Sequence, residues 1–187
     1  MKILHIKNIV LSAMFLAIGI ILPFFTGQIQ MIGNMLLPMH IPVMLTGLIC
    51  GWQYGLGVGF IMPLLRSMLF SMPPMYPGAV AMAFELATYG LVIGILYEKF
   101  YWHCIKALYK SLIAAMVAGR IVWGIAMAFI LGLNGFGIKM FFTQAFLNAI
   151  PGIIIQLIII PVIMVALNKA KLVPLRKQKN IHEKKSS

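Results

Sequence analysis

The chain has 187 residues, of which 62% are hydrophobic and only 10% charged, against roughly a quarter charged in a typical soluble domain. The apolar residues run from one end to the other, presenting more surface than a water-soluble fold can hide, so lipid must solvate most of the molecule. The formal charge is +12, but nearly all of the basic residues lie between or beyond the apolar runs, where membrane-flanking charges sit, which argues against a nucleic-acid surface.

Six hydrophobic segments follow in chain order, most of them close to the roughly 20 residues that cross about 30 Å of hydrocarbon. The expectation is an all-α membrane protein of six transmembrane helices over residues 1–168, followed by a basic tail over 169–187. The first segment is about Ile6 to Phe25, with an apolar run from Ile9 that follows Lys2 and Lys7. No A-x-A-like cleavage site comes after it, so it reads as a retained span and not a signal peptide. Ala13 and Ala17 form a small-xxx-small pair on it. The second segment, Leu36 to Cys50, is short, and a re-entrant or shallow helix is an alternative to a full crossing.

A tight turn at Cys50 to Gly55 leads into the third segment, Trp52 to Phe70. Glycines at 47, 51, 55 and 59 recur every fourth residue through this turn. Either they combine a turn with close packing, the favoured reading, or they form a single dimerisation seam. The fourth segment is Gly78 to Tyr97, the fifth Ser111 to Leu131 and the sixth Met140 to Leu167. Pro63, Pro151 and Pro161 are expected to interrupt spans three and six.

Twelve Lys and Arg residues fall in the N-terminal tail, the Glu98 to Lys110 loop and the C-terminal tail, whereas the three alternate connections hold only Lys139. That asymmetry places both ends in the cytosol. The thiols of Cys50 and Cys104 then fall near the reducing side, with no disulfide or metal site expected. Trp52, Tyr54, Tyr76, Tyr97, Tyr101, Trp102 and Tyr109 lie near span ends and read mostly as interfacial belt residues. Trp123 and Tyr89 are deeper, as packing residues or as the wall of a ligand site.

An ionisable side chain at membrane depth costs roughly 2.5 to 3.5 kcal/mol on insertion scales. The spans hold three: Arg66, Glu85 and Arg120. At 1.5 Å of rise per residue, Arg66 lies roughly 6 Å and Glu85 roughly 10 Å below the outer ends of their spans, so the two can meet. Asn148, Gln144 and His40 extend this polar set in the outer half. Arg66 and Glu85 could simply neutralise each other as a buried pair. One carboxylate does not offset two guanidinium groups, however, and a net positive site suits a carboxylate-bearing ligand held by bidentate hydrogen bonds.

Chemistry is scarce. There is no phosphate loop, no H-E-x-x-H and no cysteine pair with metal spacing, and the absence of Asp rules out a Ser-His-Asp triad. An enzyme is therefore not expected. A stand-alone ion-coupled carrier is possible with Glu85 as the coupling carboxylate, although no inverted repeat is visible. A binding subunit driven by something else is the reading left in front.

At this point the residues resemble the substrate-binding S components of energy-coupling factor (ECF) vitamin transporters of bacteria and archaea. The resemblance is carried by Ala13-Met14-Phe15-Leu16-Ala17 and by a more specific central block. That block runs from Leu37-Pro38-Met39-His40-Ile41-Pro42-Val43 through Gly51-Trp52-Gln53-Tyr54-Gly55 and Pro63-Leu64-Leu65-Arg66. It continues through Pro73-Pro74-Met75-Tyr76-Pro77 to Ala83-Phe84-Glu85-Leu86-Ala87-Thr88-Tyr89-Gly90. It looks closest to the pantothenate-type branch.

The resemblance implies a cell-membrane protein with a vitamin as cargo. Its partners would be a membrane-embedded T component, packed against Ala13 and Ala17, and two cytosolic ATPases. No cofactor would belong to this chain, the ATP being used by the partners. The loop between spans one and two, Gly27 to Asn34, would cover the ligand. On this reading Arg66 and Arg120 hold the ligand carboxylate and Glu85 orients Arg66. Asn148, Gln144, Asn34 and His40 offer hydrogen bonds, and Trp123 and Tyr89 form apolar walls.

Overall fold

The computed structural model describes residues 2–26, 38–99, 105–132, 141, 143 and 149–170. Six helices stand out among them: α1 (Lys2–Ile21), α2 (His40–Cys50), α3 (Trp52–Phe70), α4 (Val80–Lys99), α5 (Ile105–Leu131) and α6 (Ile150–Lys169). A 3-10 turn, Leu22–Thr26, prolongs α1, and a π-helical turn, Met75–Ala79, leads into α4. Four stretches are long and apolar enough to cross a membrane: His5–Phe24, Met75–Lys99, Ile105–Leu131 and Ile150–Lys169.

The other two helices differ from these for separate reasons. Helix α2 has 11 residues, about 16 Å of rise, half of what a hydrocarbon core requires. Helix α3 has 19 residues and enough length, but Gln53, Arg66 and Pro63 dilute its apolar character. Helix α5 begins at Ile105, six residues before the expected Ser111, because Lys106, Tyr109 and Lys110 are good enough helix residues to carry it past the apolar limit. Pro151 does not interrupt α6 but stands in its first turn, where a missing N–H leaves no helical bond unmade. The described helix starts at Ile150, ten residues after the expected Met140.

Helix α4 is the hub, packed against α2, α3 and α5, while α1 lies against α2 and α3 and α6 touches α2 and α5. The α2–α3 elbow turns on Gly51, whose φ of 102° is left-handed and suits only glycine. On either side of it glycines bring backbones together. A Cβ on Gly47 would stand 2.6 Å from the Gly90 carbonyl oxygen, and one on Gly55 would stand 2.7 Å from the same atom. Gly59 meets the backbone of Leu86 in the same way, and Gly94 meets that of Trp52. The glycine repeat is thus a turn plus packing surfaces that seat α2 and α3 on α4, as small residues do where lipid gives helices no hydrophobic reason to associate.

Around this seam Met44, Met62, Leu86, Ile93, Leu112 and Ile160 are fully buried, joining five helices in one apolar core. Tyr97 belongs to that core at 5% exposure and is not a belt residue, since α4 is enclosed by its neighbouring helices there. Outward, Ile113, Val117, Ile121, Ile125 and Phe129 make an exposed apolar row on α5. Such a row is costly in water and at home in lipid.

Candidate functional site

The N-terminal parts of α2 and α4 and the middle of α5 bring four polar groups together. Glu85 stands early in α4, two turns inside the π-helical entry, and Tyr89 follows one turn later on the same face, the spacing at which helical side chains meet. His40 opens α2. Arg120 comes from the middle of α5. All are buried, with 2% exposure for Glu85 and 6% for Arg120.

Three groups converge on one oxygen of Glu85. The Arg120 Nη1 lies 3.0 Å from Glu85 Oε1, the Tyr89 hydroxyl donates to it at 3.1 Å, and His40 Nε2 stands 3.5 Å away. The His40 and Tyr89 rings meet edge on, with centroids 5.1 Å apart, and Gly119 on α5 leaves the space that the Tyr89 ring fills. A carboxylate and a guanidinium removed from water need this much hydrogen bonding to offset desolvation. The cluster therefore fixes the direction in which Arg120 points.

Only Nη1 of Arg120 is engaged. Its Nε and Nη2 atoms are buried and have no hydrogen-bond partner among the described residues. These two N–H groups lie on one edge of the planar guanidinium, the fork that matches the two oxygens of a carboxylate. Leaving buried donors unmade is expensive, and this orphaned edge is the feature of the centre with an evident chemical use. Trp123, one turn along α5, packs with Ala81 and Met127 and stacks at 6.4 Å on Phe141, forming an apolar wall on the Arg120 side.

The expected pairing of Glu85 with Arg66 does not form. Arg66 Nη1 instead donates to the carbonyl of Ile20 at 2.6 Å, and its guanidinium lies 5.6 Å and 5.8 Å from the Phe24 and Phe70 ring centroids. Similar depth in the membrane fixes one coordinate only. Which neighbour a side chain meets sideways depends on helix placement, and Arg66 turns to α1 while Glu85 turns to α5 and α2. Asn34, Gln144 and Asn148, with the loop from Gly27 to Asn34, lie outside the described residues.

The expectation missed that Glu85 belongs to Arg120, that Gly90 and Gly94 answer the glycines of α2 and α3, and that Pro23 and Phe24 concern Arg66. Signals for the last two were present. Gly90 and Gly94 are four apart, like the glycines they face, and a proline at the end of a span deprives a carbonyl of its donor.

Ala13 and Ala17 are exposed on α1, in one face with Ile6, Ile9, Val10, Met14, Ile18 and Ile21. The opposite face packs on the body through Ser12, Phe15, Leu16 and Gly19.

No curated protein and no solved structure matches the chain. Residues 7–164 match the family model described as "ECF transporter, substrate-specific component", and this match over most of the chain places it in that family, as a membrane-embedded substrate-binding subunit of an ECF transporter that works with a T component and ATPase partners.

Proposed function

We propose that this chain is the high-affinity binding subunit for a water-soluble, carboxylate-bearing vitamin, pantothenate first among them, in an ATP-driven uptake system. The single observation that carries the reading is the orphaned Nε and Nη2 edge of Arg120. A ligand carboxylate would take that edge by two parallel charged hydrogen bonds, while Glu85, with Tyr89 and His40 behind it, holds the guanidinium in place. Trp123 and Tyr89 would supply apolar walls, and Asn34, Gln144 and Asn148 remain hydrogen-bonding candidates on sequence grounds.

In this reading all six helices lie in the membrane with both ends cytosolic, α2 and α3 joining the four long apolar spans. The site then opens outward, and the exposed face with Ala13 and Ala17 meets the T component, which is coupled to two cytosolic ATPases that use the ATP. Small side chains there support close helix approach.

The test is titration of the purified protein in detergent against a panel of vitamins, read by tryptophan fluorescence, with Trp123 one turn from Arg120. Stoichiometric binding of one vitamin is expected, weakened at least about tenfold in Arg120→Ala, the loss that follows when a charged hydrogen bond goes. Silence across the panel from folded protein would sink the vitamin assignment.

A further inference from the structure

At the outer end of α1 the backbone has a missing donor. The α-helix ends at Ile21 and passes into the 3-10 turn Leu22–Thr26, in which each carbonyl expects the N–H three residues on. For Ile20 that residue is Pro23, which has none. Arg66, from α3, fills the place: its Nη1 donates to the Ile20 carbonyl at 2.6 Å. Phe24, just past the proline, and Phe70, one turn after Arg66, flank the guanidinium and meet each other edge on at 4.8 Å. A cation at a helix C-terminus is favoured by the helix dipole as well as by the aromatic faces.

The inner end of α1 is tied by separate polar contacts. Asn8 Nδ2 donates to the Cys50 carbonyl at 3.2 Å, and His5 Nδ1 lies 3.2 Å from the Tyr54 hydroxyl. Between the two ends, contact with the body is largely apolar, at Phe15, Leu16 and Ile20. In a bilayer such contact is weakly directional, because lipid replaces it at little cost. The outward angle of α1, and with it the direction of the face bearing Ala13 and Ala17, therefore depends on how its outer end is held.

We infer that Arg66 is a positioning residue for assembly: by clasping the Ile20 carbonyl that Pro23 leaves without a donor, it holds α1 in the orientation that presents the Ala13 and Ala17 face to the T component. The assembly half of this statement rests on the docking face proposed above; the clasp itself does not. Arg66 is thereby assigned to α1 and not to the ligand carboxylate.

The clasp is read by spin-label distances between cysteines placed at the exposed positions Ile21 and Met68, in full-length protein in nanodiscs with Cys50 and Cys104 replaced by Ser. Arg66→Ala should broaden the α1–α3 distance distribution. Arg66→Lys, which keeps a cationic donor for the Ile20 carbonyl, should stay close to the wild-type distribution. An unchanged distribution in Arg66→Ala, or one in Arg66→Lys as broad as in Arg66→Ala, would overturn the clasp and return Arg66 to the ligand.

Assembly is read by co-purification with co-expressed T component and ATPases. Recovery should fall about tenfold in Arg66→Ala as the docking-competent population shrinks, and be largely kept in Arg66→Lys. Full recovery in Arg66→Ala despite a broadened distance would overturn the link to assembly. Ala13→Leu with Ala17→Leu separates the two failures: loss of partners with an unchanged distance supports the docking face, whereas retained partners remove that face and leave the distance measurement to judge the clasp alone.

Discussion

The two buried arginines among the described residues occupy opposite kinds of environment. Arg120 lies between α4 and α5 against a carboxylate, with the other edge of its guanidinium unsatisfied among the described residues. Arg66 lies between α3 and α1 against a backbone carbonyl and two aromatic rings, with no carboxylate beside it among the described residues. The first arrangement has a directed, unused capacity for an anion. The second spends its charge on holding a helix end. An arginine at membrane depth thus points to a ligand only when its partners leave an edge of the fork open, and residue type with depth does not reveal that.

The difference can be broken by mutation. Glu85→Leu should have the largest effect, about 3–5 kcal/mol of lost stability, because it strands the Arg120 charge in the interior; a thermal unfolding midpoint in detergent equal to that of the wild type would show that Glu85 does not hold Arg120. Gly55→Ala should cost about 1–3 kcal/mol by forcing a methyl against the backbones of α2 and α4. It would disturb the support of the polar centre without touching its chemistry, and the same unfolding assay reads it. If it is tolerated, the helices are less closely seated than the glycine contacts indicate.

Smaller effects sharpen the contrast. Arg66→Met keeps the length of an apolar stem and removes one charged hydrogen bond, so a loss of about 1.5–3 kcal/mol is expected, less than for Glu85→Leu because no opposite charge is left behind. Equal losses at the two positions would mean that Arg66 has an acidic partner after all. Tyr89→Phe removes one of the donors to Glu85 Oε1 and should cost about 1 kcal/mol, since Arg120 still satisfies that oxygen. A much larger loss would identify the hydroxyl as the principal support of the carboxylate.

Much of the architecture was legible without coordinates. Apolar runs and breaks at Gly51 and around Pro73 and Pro74 located the helices to within a few residues, apart from the starts of α5 and α6. There Lys106 and Lys110 sit on a helix without breaking it, and Pro151 marks a helix start and not an interruption. The shortness of α2 was visible in its residue count. Glu85, Arg120 and His40 are all in the polar set, because an ionisable or strongly polar residue in an apolar run has few reasons to be there, whereas Tyr89, read as an apolar wall, turns out to donate its hydroxyl to Glu85.

By itself, then, the sequence determined the membrane class, the helical elements and the residues that had to be explained, because hydropathy, proline and glycine act locally and a bilayer admits little besides helices that satisfy their own backbone. Only the tertiary structure decided which arginine answers Glu85, that Tyr97 is enclosed, and that Arg66 replaces the donor Pro23 lacks. Those outcomes depend on the lateral placement and rotation of each helix, which the glycine contacts of α2, α3 and α4 set across the bundle and which no spacing along one chain segment encodes.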